Sequence, residues 1–279
     1  MTGARIAPLT DVRPLVILAA SILTASAALG SAPLSASVAT AAPESSCSGS
    51  GVSPRILAVG ETVEGEIRGG ERHPFRLQLP AGSFATGRVV QKGVDLVVEM
   101  PGANEEVVRR IDDFFETSGP LDFSVLIERE RCVDFVLTPR LASAPAGSYS
   151  VKFDAARPTE PADAVRVRAE DATSEAVALR REGKSESLHK ALERLLDSAR
   201  LSAEAGDLQG KASALGSAAV IAYLLSQPRQ ATELSETSLS LHEAAGDKEG
   251  ASASHVNLAA LYMQLGEVER LLEQLDGLG

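Results

Sequence analysis

Between residues 56 and 155 the apolar positions fall in short alternating runs. The run His73-Pro-Phe-Arg-Leu-Gln-Leu79 puts Phe75, Leu77 and Leu79 on one side and Arg76 and Gln78 on the other. A half-buried strand has this period of two, because successive side chains point to opposite faces. The same reading predicts strands over 62–68, 73–79, 83–91, 94–100, 105–111, 122–128, 132–138 and 148–154. Turn chemistry separates most of them: Gly69-Gly70, Pro80-Ala81-Gly82, Pro101-Gly102, Gly119-Pro120 and Pro145-Ala146-Gly147. Eight short strands at this spacing predict an antiparallel β-sandwich, jelly-roll-like, over residues 56–156.

Past Pro161 the pattern changes. Ala, Leu, Ser and Glu take over, all seven Phe lie behind, and Pro228 is the one remaining proline. Ala205-Gly-Asp-Leu-Gln-Gly210 recurs as Ala245-Gly-Asp-Lys-Glu-Gly250, 40 residues later. At that offset Ala219 falls on Ala259, Ile221 on Leu261, Leu225 on Leu265 and Ala191 on Ala231. Residues 161–279 therefore read as helical hairpins over 165–204, 205–244 and a partial 245–279, a short α-solenoid. Gly206 and Gly246 supply the left-handed residue after one helix, and Asp207 and Asp247 cap the next. Pro161 and Pro228 suit a first helical turn, where a missing N–H costs nothing. Small residues at Ala212, Ala218, Ala219 and Ala259 allow close helix approach. The fold class expected is α+β and multidomain. Leu271, Leu272 and Leu275 leave the last stretch apolar where a solenoid end is normally polar, so cover from the sandwich, a second copy or a partner is expected.

The first residues belong to neither pattern. Arg5 and Arg13 precede an uncharged stretch from Pro14 to Pro43, with an apolar run over residues 15–29 and small-residue sites at Ala25-Ser26-Ala27 and Ala39-Thr40-Ala41. That order is a secretory signal peptide over 1–41, followed by a flexible lead-in over 42–55. The expected location is exported, periplasmic or extracellular; the alternative is a membrane anchor left by an uncleaved signal. Outside the cytoplasm disulfides persist, so Cys47 and Cys132 are either bridged or left as two thiols.

Composition narrows the chemistry. Lys and Arg number 27 against 38 Asp and Glu, a net charge of −11, which argues against a nucleic-acid partner. Two distant cysteines and four histidines give no zinc-site spacing, and there is no phosphate loop, HExxH or GxSxG. His73 reads as a turn histidine, and His255 as an inward, partly buried one. Asp112, Asp113 and Glu116 lack the Gly-spaced ligands of a calcium loop, and Glu128-Arg-Glu-Arg131 reads as a polar hairpin turn. No cofactor, metal or enzymatic activity is expected.

The last unit reads Asn257-Leu258-Ala259-Ala260-Leu261-Tyr262, then Leu265-Gly266-Glu267, and resembles the tetratricopeptide repeat (TPR). In the preceding unit Ala219 fits, while Ala222 stands for the aromatic and Ser226 for the turn glycine. Val59-Gly-Glu-Thr-Val-Glu-Gly-Glu-Ile-Arg-Gly-Gly-Glu-Arg-His73, Gly93-Val-Asp-Leu-Val-Val98 and Ala146-Gly-Ser-Tyr149 are similar to the domain before the repeats of bacterial secreted TPR–CHAT proteins. That domain itself resembles pre-peptidase C-terminal sandwiches. In that family a His/Cys peptidase module follows the repeats; no such module is expected here, so its activity does not carry over. The resemblance implies a groove lined by first helices, with Asn257, Ser217, Tyr223, Met263 and Gln264 as peptide-groove candidates. The function expected is an exported, non-enzymatic interaction scaffold that binds a protein or peptide. The alternative is the targeting or regulatory portion of a CHAT-type peptidase relative. Self-association through the C-terminal helices is the further partner expectation, and glycan binding is disfavoured by the absence of Trp.

Overall fold

The computed structural model describes residues 53–101, 107–112, 118–127 and 132–276. The expected signal segment, most of the lead-in, Cys47, Asp113, Glu116 and the 128–131 turn lie outside the described residues. Among the described residues nine strands form two sheets. The first has the order β1-β3-β8-β5-β6: Arg55–Leu57, His73–Gln78, Cys132–Pro139, Leu96–Pro101 and Val107–Ile111. The second has the order β2-β9-β4-β7: Thr62–Ile67, Gly147–Pro158, Ser83–Lys92 and Ser118–Ile127.

All eight expected strands are present, with ends shifted by a few residues. β5 begins at Leu96 rather than at Val94 because the Leu96 N–H donates to the buried Gln91 Oε1 at 2.7 Å, which holds the turn between β4 and β5. One expectation is corrected. The sheets are not purely antiparallel, since β1 pairs with β3 in parallel, Arg55 opposite Phe75. The chain leaves the first sheet for β2 and returns as β3, so β1 and β3 run the same way. At three residues, β1 is too short for alternation to reveal, and it starts at Arg55, the last residue of the expected lead-in.

One hydrophobic cluster draws on both sheets. Phe75 and Phe135 of the first sheet stack at 5.3 Å between ring centroids. Phe135 also meets Phe123 at 6.0 Å and Phe153 at 5.7 Å, both from the second sheet, in edge-on geometry. Such ring pairs add about 0.5–1.5 kcal/mol each beyond the area they bury. Gly87 makes room for them. The β4–β9 register shifts between Thr86 and Gly87, and a Cβ on Gly87 would lie 2.8 Å from the Phe123 ring and 2.9 Å from that of Phe153.

Six helices follow among the described residues: α1 Pro161–Glu182, α2 Ser185–Glu204, α3 Leu208–Leu224, α4 Pro228–Ala244, α5 Lys248–Leu265 and α6 Val268–Asp276. They stack as successive hairpins, each helix packing on the next. Pro161 and Pro228 open α1 and α4. Gly206 and Gly246 hold φ of 71° and 68°, and the carboxylates of Asp207 and Asp247 accept the N–H of Gly210 and Gly250 at 2.8 and 3.0 Å. The repeated Gly-Asp is thus a helix stop followed directly by a helix start.

The first helix also joins the two halves. α1 packs against β6 and β7, which are edge strands of different sheets. Arg109 of β6 donates to Asp171 at 2.5 Å and to Glu170 at 3.0 Å. Glu170 also accepts the backbone N–H and the hydroxyl of Ser124 on β7, at 2.7 and 2.6 Å. Further along the helix, Arg181 pairs with the buried Asp112 at 2.6 Å, and Arg140 joins the same carboxylate. At its start, Asp163 binds Arg157 at 2.6 Å and the Glu160 N–H at 2.7 Å.

Candidate interaction surface

The five residues singled out for a groove sit on α3 and α5, the first helices of the second and third hairpins. At an offset of 40 residues Ser217 matches Asn257 and Tyr223 matches Met263. The structure brings one pair together: the Gln264 amide donates to the Tyr223 hydroxyl, joining α5 to α3. Met263, beside it, is 65% exposed. Ser217 and Asn257 lie earlier on the same two helices. Each precedes Tyr223 or Met263 by six residues, a rise of roughly 9 Å and a turn of roughly 120° away from the same stripe. Asn257 is exposed and Ser217 half-buried. Gln264 follows Asn257 by seven residues, two full turns, so those two share one face of α5 roughly 10 Å apart.

Around the repeat residues, several further contacts appear that the sequence did not signal. Tyr262, the aromatic of the repeat pattern, is buried, and its hydroxyl donates to Glu236 at 2.5 Å. Burial first, and then this donation to a carboxylate, pushes the phenol up to about 12. The Arg270 guanidinium lies over its ring at 5.4 Å. His242 is 5% exposed, and its Nδ1 is 2.8 Å from Asp247 Oδ2. A Cβ on Gly250 would fall 2.2 Å from that nitrogen, so the glycine of the repeated motif leaves space for the imidazole. Burial alone would raise the Asp247 carboxyl; donation from Gly250, Gln209 and His242 outweighs it and holds the group below the ordinary carboxylate range. Gln209 on α3 donates to Asp247 at 2.9 Å, and Arg166 on α1 reaches Asp207 at 3.4 Å. Each capping carboxylate is thus also tied to the first helix of the preceding hairpin. The motif spacing found the caps; their cross-repeat partners are of different residue types and leave no repeated signal.

Elsewhere, His73 Nδ1 lies 2.8 Å from the Tyr149 hydroxyl, and half-buried His255 meets Gln274 at 2.9 Å. Cys132 is disulfide-bonded. Among the described residues no cluster of three or more His, Cys, Asp or Glu could hold a metal ion, and no helix is long and apolar enough to cross a membrane.

No protein-family model matches the chain, and neither does any curated protein sequence. Solved structures give partial likenesses. BtubC from P. vanneervenii aligns at 19% identity over 41% of this chain, with a TM-score of 0.37. The chain spans 45% of BtubC. The TPR domain of Arabidopsis FLU aligns at 15% identity over 42% of this chain and 92% of its own, with a TM-score of 0.35. The pre-peptidase C-terminal domain of Bacillus anthracis collagenase aligns at 9% identity over 38% of this chain and all of its own, with a TM-score of 0.30. At such scores the likenesses carry neither family membership nor function.

Proposed function

We propose that the chain is an exported, non-enzymatic scaffold that holds a protein or peptide partner on TPR-like repeats, with the two sheets forming a pre-peptidase-like β-sandwich beneath them. The supporting observation is the patch where α3 and α5 meet. There the Tyr223–Gln264 hydrogen bond fixes a polar anchor beside the exposed Met263. A methionine on a surface contributes apolar area and adapts its shape to what it touches. A phenol and an amide beside it add donors and acceptors that can be shared with a peptide backbone. The partner is a protein or peptide rather than a nucleic acid, given the net charge of −11. Export follows from the residue 1–41 pattern, and N-terminal sequencing of secreted protein should begin between residues 28 and 45.

The test is capture of partners from extracellular and periplasmic extract by the immobilised chain, repeated with Met263→Glu and Tyr223→Ala. Met263 is exposed, and Tyr223 is half-buried against the cluster of Ala222, Ala231 and Leu261, so circular dichroism on both variants checks that the fold persists. The variants should retain a given partner at least about tenfold less than the parent chain. Equal capture by all three proteins would remove the groove from the reading.

A further inference from the structure

Three positions of α1 show what the sheets do for the helices. At offsets of 40 and 80 residues Glu170 matches Gly210 and Gly250, Ser174 matches Ala214 and Ser254, and Arg181 matches Ile221 and Leu261. On α3 and α5 these positions face the second helix of the preceding hairpin. A Cβ on Gly210 would fall 3.1 Å from the Ser202 hydroxyl of α2, and one on Gly250 would fall 2.2 Å from His242 of α4. Ala214 clusters with Ala199 of α2, and the Ser254 hydroxyl lies 3.4 Å from that of Ser238 on α4. Ile221 clusters with Ala191 and Leu195 of α2, and Leu261 with Ala231 of α4.

On α1 the same positions face the sheets. Glu170 accepts from the N–H and hydroxyl of Ser124 on β7 and from Arg109 of β6. The Ser174 hydroxyl accepts the N–H of Asp112, the residue after β6, at 3.4 Å. Arg181 donates to Asp112 at 2.6 Å and to Asp95, the residue before β5, at 3.4 Å. Val177 stands three residues after Ser174 and four before Arg181, on the same face, and is fully buried. The β6–β7 side therefore lies where a preceding second helix would lie. The residue types suit this occupant and exclude the other. An aliphatic helix face like that of α2 would bury Glu170 and Arg181 without partners, at a large desolvation cost. The sheets supply hydrogen-bond donors and counter-charges instead.

The influence of this contact can pass along the array. Ala176 of α1, Ala191, Leu192 and Leu195 of α2, and Ala218 and Ile221 of α3 form one cluster. A repeat unit cannot bury its face without a neighbour, so the first hairpin depends on what covers α1. We propose that the β6–β7 side of the sheets caps the helical array: it takes the place of a preceding second helix and holds α1, and through the shared cluster α2 and α3, in order. This cap is independent of whether the α3–α5 patch binds a partner.

Amide hydrogen exchange of the full chain, read by mass spectrometry, tests the cap. Glu170→Ala with Arg181→Ala removes two contacts of α1 and leaves Arg109 bound to Asp171 and Asp112 bound to Arg140. Amides of α1 and α2 should exchange at least about tenfold faster, those of α3 less so, and those of β2 and β9 at the parent rate. Ile221→Ala, at the matching position one repeat on, should act one hairpin later, on α3 and α4. If the double variant does not fold, Arg181→Ala alone is read in the same way. Acceleration confined to α1 would overturn the proposal, because the contacts would then be local. So would unchanged exchange throughout, or equal acceleration in β2 and β9, which would mean one cooperative unit rather than a cap.

Discussion

In the sheets, side chains far apart in sequence converge on one cluster that runs from Leu57 to Phe153 and is built around four phenylalanine rings. The helices bury their apolar groups in three smaller clusters of Ala, Leu and Ile, each made by neighbouring helices. Buried serines at 198, 202, 235, 238 and 254 lie among them. Loss of one ring in the sheets therefore touches strands of both layers. Loss of one aliphatic group in the helices is felt chiefly by the adjoining hairpin, as in any chain of nearest-neighbour units.

The sharpest test of that contrast sets two core truncations side by side. Phe135→Ala removes the ring that meets Phe75, Phe123 and Phe153, and should cost about 4–5 kcal/mol. Ile221→Ala removes a fully buried aliphatic side chain of α3 and should cost about 2–3 kcal/mol. Urea unfolding followed by circular dichroism measures both. Equal costs would mean that the helical half is as tightly coupled as the sheets.

The two halves also differed in how much of them the sequence disclosed. Alternation located strands that bury one face, as at Phe75 and Leu77, a continuous apolar run marked β5, and the Gly-Asp repeat located two helix junctions because its chemistry is local. β1 escaped because three residues carry no period, and its parallel pairing depends on a return of the chain that no local signal records. The Gly87 bulge escaped for a related reason: the rings that require it stand 36 and 66 residues away. For the candidate surface, the repeat offset put Tyr223 with Met263 and Ser217 with Asn257, but it could not show the hydrogen bond from Gln264 to Tyr223, which crosses between two helices. The ties of Arg109 to Glu170 and Asp171 were invisible, since a charged residue on an edge strand and two on a helix read as solvated until the edge is seen to be covered.

That seam between the halves gives the second test. Arg109→Ala leaves Glu170 and Asp171 without their guanidinium and should cost about 3 kcal/mol near neutral pH. Burial raises the Glu170 carboxyl above its ordinary value, against the pull of the Ser124 donors and of Arg109. A carboxyl raised in the folded state favours folding when protonated. Its contribution is complete below the ordinary glutamate value and is lost as pH rises through the folded value. Relative to Glu170→Gln, the parent chain should therefore lose stability as pH rises from the acid side of that range toward neutral. Chemical denaturation of both proteins across the range reads this difference. A difference that does not change with pH would mean that Glu170 is not raised by its burial at the seam.

The smallest effect lies wholly within the helices. Ser226 holds φ of 59°, the one non-glycine residue with positive φ among those described, and stands 40 residues before Gly266 at 73°. Both close the turn inside a hairpin, with the next N–H reaching back to Ala222 in one case and to Tyr262 in the other, each at 2.9 Å. A serine in the left-handed region carries a Cβ strain that glycine lacks, of order 1 kcal/mol. Ser226→Gly should therefore raise stability by about 0.5 kcal/mol at most after glycine's larger unfolded-state entropy is set against the relief. Gly266→Ser should lower it by a similar amount. If the helices behave as nearest-neighbour units, the gain at Ser226 will appear as slower amide exchange in α3 and α4 and leave exchange in β8 unchanged. Equal slowing in β8 would show that the seam at α1 carries stability between the halves, and that the contrast between one shared core and several local ones is a difference of composition rather than of cooperativity.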